Sequence, residues 1–438
     1  MTLPAPDPLT GAALYADVVR YAGFGVHRYG SPGERAAMDW IAAELERAGL
    51  AVADQALSMP RQFVLEHASV SVGARRLEAF AHWWMPEACT RLALDAPLKT
   101  PSQAAGALAW VALPHDRASY LNDGHRRTIL EAAAHRPAAI LLTIDNPAGE
   151  IFTYNVDQAT EPWPVPVIVV ASKHAALLKA AQRSGEPLAV SVSGRYQRNV
   201  PGRNVIGRLG AGAAGPIGRA AAGAVTGNVA RTIVVSTPVS SWFVSACERG
   251  PGIATFLALA RHVARTRPDA GFVFVATVGH EIGHGGMEQF IAHAAPAPAD
   301  VTAWVHLGAS NACYGWVRDD ARVGADADVS GDGRGDGFRS SGRVDADVRI
   351  LALSPSLEPL VQDVFADVAA HRFTGERAGV GELREVRAAG YPDFFGMAGM
   401  HRFFHTPRDA ATMTGPEILE PVARAFARAV DRLAAPPR

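Results

Sequence analysis

The sequence predicts an α/β fold: a mostly parallel, twisted sheet with helices on both faces, carrying a smaller β-rich inserted domain. Three observations lead there. After residue 201, apolar runs alternate with amphipathic helical stretches, the pattern of a parallel sheet covered by helices. One of those runs, Phe272–Val278, is rich in β-branched and aromatic residues, as a strand buried on both faces should be. Between about 62 and 200 the texture changes to short runs such as FVLEHASVSV, GALAWVAL, AAILLTI, VPVIVVA and LAVSVSG. That change places an inserted module at 62–200 within a discontinuous domain of 1–61 and 201–438.

The elements follow in order. Thr10 to Tyr21 carries apolar residues at helical spacing. Ser31-Pro32 supplies a cap and a first-turn proline for a helix over Glu34–Ala48, which Gly49 stops. Ala51–Leu57 begins a strand. Ala175–Gln182 reads as a short helix, and Arg198–Gly202 as the exit from the insertion. Asn204–Leu209 and Thr232–Ser236 read as strands, separated by an Ala/Gly-rich loop or hairpin at Gly210–Gly227. A helix over Gly252–Thr266 precedes the run at Phe272, and a helical stretch MEQFIAHA follows it. Thr302–Leu307 reads as a strand, Ser356–His371 and Gly415–Ala435 as helices, and 372–414 as loop-rich.

Composition narrows the function. The chain has 438 residues, 48% hydrophobic and 19% charged, with a net charge of −1. That balance gives no electrostatic footprint for nucleic acid or an anionic membrane. Three cysteines cannot build a disulfide framework. No signal peptide or spanning run is read at the sequence level, so a cytoplasmic location is expected.

The chemistry-bearing residues lie where strands should end, the place where open α/β sheets build their sites. His280-Glu281 follows the Phe272–Val278 run. The five residues HEIGH match the H-E-x-x-H zinc pattern, which needs a continuous helix to bring both histidines to one face. Gly279, Gly283, Gly285 and Gly286 argue against that helix and leave His284 as a loop residue. His405-Thr406-Pro407 could provide a ligand, a base or a packed loop histidine. Glu248 and Arg249 could be a ligand and a substrate clamp, or ordinary charges near a helix start. Cys247 reads as a buried thiol before a nucleophile. Asp326, Asp328, Ser330 and Gly331 resemble the start of a calcium loop whose closing position is Gly337, so a solvated loop is favoured.

Taken in order, these pieces resemble the zinc exopeptidase family that includes co-catalytic zinc aminopeptidases, glutamate carboxypeptidase and glutaminyl cyclase. The resemblance rests on YGSPGERAAMDWIAAELERAGL, RTIVVSTPVSSW…ACERGPGIATFLALAR, FVFVATVGHEIGHGGMEQF and AAGYPDFFGMAGMHRFFHTPRD. The insertion is similar to that family's protease-associated domain. Matched to the family's two-zinc pattern, several ligand positions are replaced: Pro238 and Ser240 stand for the His-x-Asp pair, His280 for the general-base glutamate, and Gly308 for a later aspartate. Glu248, Glu281 and His405 remain.

The resemblance therefore implies a hydrolase or related acyl-transfer enzyme acting on an amide of a small peptide-like substrate. It would hold a single zinc on Glu248, Glu281 and His405, with His280 and Glu281 catalytic, or use no metal at all. Trp242, Arg249, His306 and Tyr314 are candidate substrate-binding residues. Two alternatives stand beside this: a metal-free binding or regulatory protein, and a metal-independent enzyme built on Cys247 or His280. The inserted module could support a homo-oligomer.

Overall fold

A computed structural model describes residues 6–82, 84–158, 160–210, 232–319 and 337–435. The Asp-rich stretch 324–336 and most of the Ala/Gly-rich tract at 210–227 lie outside them. Helices α1 (Gly11–Gly23) and α2 (Pro32–Arg47) open the chain. Ser31 caps α2 by accepting from the Glu34 amide at 3.2 Å. Strand β1 (Ala51–Val72) leads to β2 (Arg75–Leu77), β3 (Ala79–Ala81), β4 (Arg91–Lys99), β5 (Leu108–Pro114), α3 (Asp123–Ala134), β6 (Ala139–Asp145), β7 (Val167–Val170), α4 (Ala175–Ser184) and β8 (Pro187–Leu209). Then come β9 (Thr232–Pro238), α5 (Ala246–Thr266), β10 (Phe272–Thr277), α6 (Gly285–His293), β11 (Val301–Leu307), β12 (Tyr314–Arg318), β13 (Phe338–Val344) and β14 (Arg349–Leu353). The chain closes with α7 (Glu358–Val364), β15 (His371–Phe373), α8 (Leu383–Ala388), β16 (Phe394–Gly399) and α9 (Pro416–Leu433).

Most strands join one sheet in the order β15-β14-β16-β11-β9-β10-β8-β4-β5-β6-β7-β3, with β1 and β2 branching from β8, while β12 and β13 pair separately. The centre, β16-β11-β9-β10, is parallel. Every residue of β9 and β10 is buried, as the near-continuous apolar runs require. The sheet is thus mixed rather than parallel throughout, since β8 and β14 pair antiparallel at either side of that centre.

The two longest strands, β1 and β8, pair antiparallel from Ala51↔Arg208 to Val72↔Leu188. They pass positions 62 and 200 without a break. One buried apolar cluster is made only of residues between Phe63 and Val192, while the larger cluster takes in both the rest of the chain and part of the segment 62–200, among them Phe80, Val111, Ile140 and Val169.

Four expectations change. Helix α5 starts at Ala246 rather than Gly252, with Pro251 inside its second turn and Gly250 leaving room for Val18. The helix expected over Ser356–His371 stops at Val364, where Phe365 is drawn into contact with Phe395 and Phe426. His371 instead begins β15, paired with Ile350 of β14. The stretch 372–414 is not only loop: it holds α8 and the central strand β16. Gly396 hid that strand in the sequence, yet it is required there, since a Cβ would lie 2.5 Å from the His306 carbonyl oxygen.

Candidate functional site

The side chains singled out in the sequence meet where the parallel strands end. Strand β10 stops at Thr277, and Gly279 turns the chain at φ +74° into a short 3₁₀ segment, His280–Ile282. Gly283 (φ +97°) and His284 (φ +58°) turn it again before α6. HEIGH is therefore not one helix. Glu248 and Arg249 lie in the first turn of α5, which follows β9. His405 lies beyond β16, at φ +56°.

Arg249 organises the centre. Its Nη2 lies 2.5 Å from Glu281 Oε1 and 3.0 Å from Glu248 Oε1, with all three side chains buried. Its Nε donates to the Ser240 carbonyl at 2.9 Å. Ser240 Oγ donates to Glu281 Oε2 at 2.7 Å and accepts from the amides of Gly279 and His280. Both oxygens of Glu281 are thereby engaged. His405 Nε2 lies 3.4 Å from Glu248 Oε1, while its Nδ1 donates to the Thr153 carbonyl at 2.7 Å.

Burial alone would raise the Glu248 carboxyl, but Arg249 and His405 hold it down at about 2. Burial likewise opposes charge on Arg249, and the two glutamates overcome it, keeping the guanidinium charged. His280 is pushed well below its ordinary value by burial and by Arg249, so it is neutral and only weakly basic.

Three groups joined the site without a sequence signal. Glu382, at the start of α8, is fully buried; Thr277 Oγ1 donates to its carboxyl at 2.9 Å, and His280 Nδ1 lies 3.3 Å from its Oε1. Burial pushes Glu382 up to about 8, so its carboxyl is protonated at neutral pH. Glu385 lies 2.7 Å from His284 Nδ1, and the rings of His280 and His284 are 4.4 Å apart. His284 is thus a buried, paired residue rather than a plain loop position. The segment 120–156 also walls the site: Tyr120 donates to the His280 carbonyl, the Val156 amide to the Glu281 carbonyl, and Thr153 holds His405.

The remaining candidates divide. His306, at the end of β11, lies 2.9 Å from Ser236 Oγ through Nδ1 and is lowered to about 3, first by burial. Trp242 is buried with its Nε1 donating to Asn155 Oδ1 at 2.9 Å. Tyr314 is apart from the cluster, with its hydroxyl on Glu417 at the start of α9.

As a zinc site, Glu248, Glu281 and His405 do not fit. A guanidinium bridges the two carboxylates, and Glu281 has no free oxygen to give an ion. Pro238, Ser240 and Gly308, at the other positions that the resemblance assigns, carry no ligand of the usual kind except the Ser240 hydroxyl, which is committed to Glu281. Phe152 and Phe404 pack on His405, with ring centroids 5.7 and 3.9 Å away. Both also line a cavity of about 750 Å³ shared with His115, Trp316, His401 and Arg402.

No protein-family profile matches the chain, and no curated protein matches it. Solved structures do. The chain is similar to BSAP, a zinc aminopeptidase from Bacillus subtilis, with a TM-score of 0.68 at 14% identity over 98% of this chain and 96% of that one. It is similar to a peptidase M28 precursor from Shewanella amazonensis SB2B, with a TM-score of 0.65 at 15% identity over 98% and 97%. An aminopeptidase from Aneurinibacillus sp. strain AM-1 gives 0.58 at 15% identity over 98% and 95%. The chain has the zinc exopeptidase fold that the ordered motifs implied. Among the described residues, no helix is long and apolar enough to cross a membrane.

Proposed function

We propose that this chain is a metal-free relative of the zinc exopeptidases that binds a small peptide-like or amide ligand, with the Arg249 guanidinium in the place of the catalytic cation. The observation that carries this reading is the double ion pair of Arg249 with Glu248 and Glu281. A fixed guanidinium supplies positive charge at the sheet edge but offers no open coordination position for water. The cavity beside His405, lined by Phe152, Trp316 and Phe404, is the place assigned to the ligand. The 62–200 module, as a protease-associated-like domain, supplies one wall, and the protein works in the cytoplasm.

Zinc content tests this directly. The chain purified without chelator is expected to hold far less than one equivalent, and Arg249→Met is expected to gain zinc affinity because it frees two carboxylates beside His405. One tightly held equivalent in the unaltered protein, lost in both Glu281→Gln and His405→Ala, would overturn it.

A second reading keeps the amide hydrolase or acyl-transfer activity, with one zinc on Glu248, Glu281 and His405. It is favoured by His405, whose Nδ1 is bound to a backbone carbonyl and whose Nε2 faces Glu248, the way metal-ligating imidazoles are held. That reading requires Arg249 to swing out when the ion enters. The zinc measurement separates the two.

A further inference from the structure

A second buried cluster lies behind the site, and the arrangement above does not use it. Cys247 Sγ and Cys313 Sγ are 2.6 Å apart, both buried and both free thiols, from positions 66 residues apart in the chain. Cys247 is the second residue of α5, and Cys313 ends the turn that follows β11. His401 stands beside them, its Nδ1 2.9 Å from Ser310 Oγ. His401 Nε2 is buried without a hydrogen bond of ordinary length and faces Asp409 Oδ1 at 3.7 Å. Asp409 in turn accepts the amides of Cys247 and Glu248 at 2.7 and 2.9 Å.

Cys247, Cys313 and His401 have the residue types of a metal site, and their ligand atoms lie within 4.8 Å of one another. The sulfur separation argues against that use. Two thiolates sharing one tetrahedral zinc at about 2.3 Å each stand roughly 3.7 Å apart, and these sulfurs are about an ångström too close. A disulfide asks for a smaller movement.

We propose that Cys247 and Cys313 form a reversible disulfide that ties the start of α5 to the turn after β11. Peroxide is the oxidant class. Cys313 thiolate attacks one peroxide oxygen, forming an S–O bond and breaking O–O; the departing hydroxide takes the His401 proton and leaves as water. Cys247 sulfur then attacks the Cys313 sulfenic sulfur, forming S–S and breaking S–OH, and its own proton leaves with that hydroxide as a second water. Two thiols are oxidised and one peroxide is reduced. The order of attack follows from environment. Burial opposes charge on Cys313, but its neighbours Cys247 and His401 draw it below its ordinary value, and His401 stands beside Cys313 to favour its thiolate. His401 is one of the residues around the cavity of about 750 Å³, with its side chain buried behind the wall.

The link bears on the site in front of it. Cys247 precedes Glu248, and the Ser310 amide donates to the Glu248 carbonyl at 2.8 Å, so the cross-link fixes the backbone carrying Glu248 and Arg249. This proposal does not depend on whether the site binds zinc.

The test uses the full folded chain treated with stoichiometric hydrogen peroxide, then denatured and alkylated. The expected product is about 2 Da lighter, has one alkylatable thiol (Cys89), yields a cross-linked peptide containing Cys247 and Cys313, and reverts with dithiothreitol. His401→Asn is expected to slow cross-linking about tenfold or more and to shift its pH profile upward, because the thiolate loses its cationic neighbour. Three alkylatable thiols after treatment would overturn the proposal. So would a cross-link through Cys89, or an equivalent of zinc released only when Cys247 and Cys313 are alkylated. The peptide map is made on the unaltered protein, so a variant that fails to fold does not blunt the result.

Discussion

Replacing Arg249 with methionine removes the one cation between two buried carboxylates while nearly preserving side-chain length. Breaking a buried ion pair from one side costs about 3–5 kcal/mol, because the partner charges remain without compensation. With an unfolding entropy near 2.1 cal/mol/K per residue, a chain of 438 residues loses about 0.9 kcal/mol for each degree of Tm. The expected fall in Tm at pH 7 is therefore about 3–5 °C.

The pH dependence gives the sharper test. In the unaltered protein the Glu248 carboxyl is held at about 2, so its contribution is present above its unfolded value of 4.5 and is lost as pH falls through about 2. Without Arg249, burial is expected to outweigh His405 and lift the carboxyl above its unfolded value. Its contribution is then present below that value and lost as pH rises. The deficit of Arg249→Met is thus expected to shrink between pH 7 and pH 5, read by thermal or urea unfolding at each pH. An Arg249→Met protein with unchanged Tm, or with a deficit that grows toward pH 5, would refute the view that this guanidinium neutralises the pair.

Other expectations follow from single contacts. Glu382 is raised to about 8 by burial, so its stabilising contribution is full below 4.5 and is lost as pH rises through about 8; Glu382→Gln is expected to flatten the fall in stability between pH 6 and pH 9, measured by urea midpoints. Gly396→Ala places a Cβ 2.5 Å from the His306 carbonyl oxygen, and should destabilise by about 1–3 kcal/mol in urea melts while disturbing the β11–β16 register. Ser31→Ala removes the cap on α2, a loss of about 1 kcal/mol in the same assay.

The sheet was legible because its signal is local. Phe272–Val278 had to be a strand buried on both faces, and β10 is that strand with every side chain buried. Ser31-Pro32 and Gly49 bracketed α2 for equally local reasons. The errors fall where tertiary contact overrode pattern. Phe365 was pulled into an aromatic cluster and ended a helix early, and Gly396 looked like a loop residue because the backbone of β11 crowds it. In the site, Glu281 and Glu248 were found by order along the chain, but their partner was not. The sequence leaves Arg249 as either a substrate clamp or an ordinary charge near a helix start, whereas its guanidinium is turned inward onto both carboxylates. Glu382 and Glu385 carried no motif at all, and only the packing of α8 against α6 and β10 brings them to His280 and His284.

Backbone strain marks the same place independently of any charge. Among the described residues, seven other than glycine have positive φ, and four of them, Ser245, His284, Ser310 and His405, lie in or directly behind the cluster. Each such conformation costs about 1–3 kcal/mol and persists only where surrounding contacts over-determine it. Here those contacts can be named. The Thr153 carbonyl holds His405, Glu385 holds His284, and the Ser310 amide bonds to the Glu248 carbonyl while its hydroxyl meets His401. A closed ion pair alone would not need His405 or His284 held so, since Arg249 and Ser240 already satisfy Glu281. Of the two, His405 lies against the aromatic wall of Phe152 and Phe404, which also lines the cavity, whereas His284 packs against His280 and Tyr120 on the other side of the charge-neutralised centre.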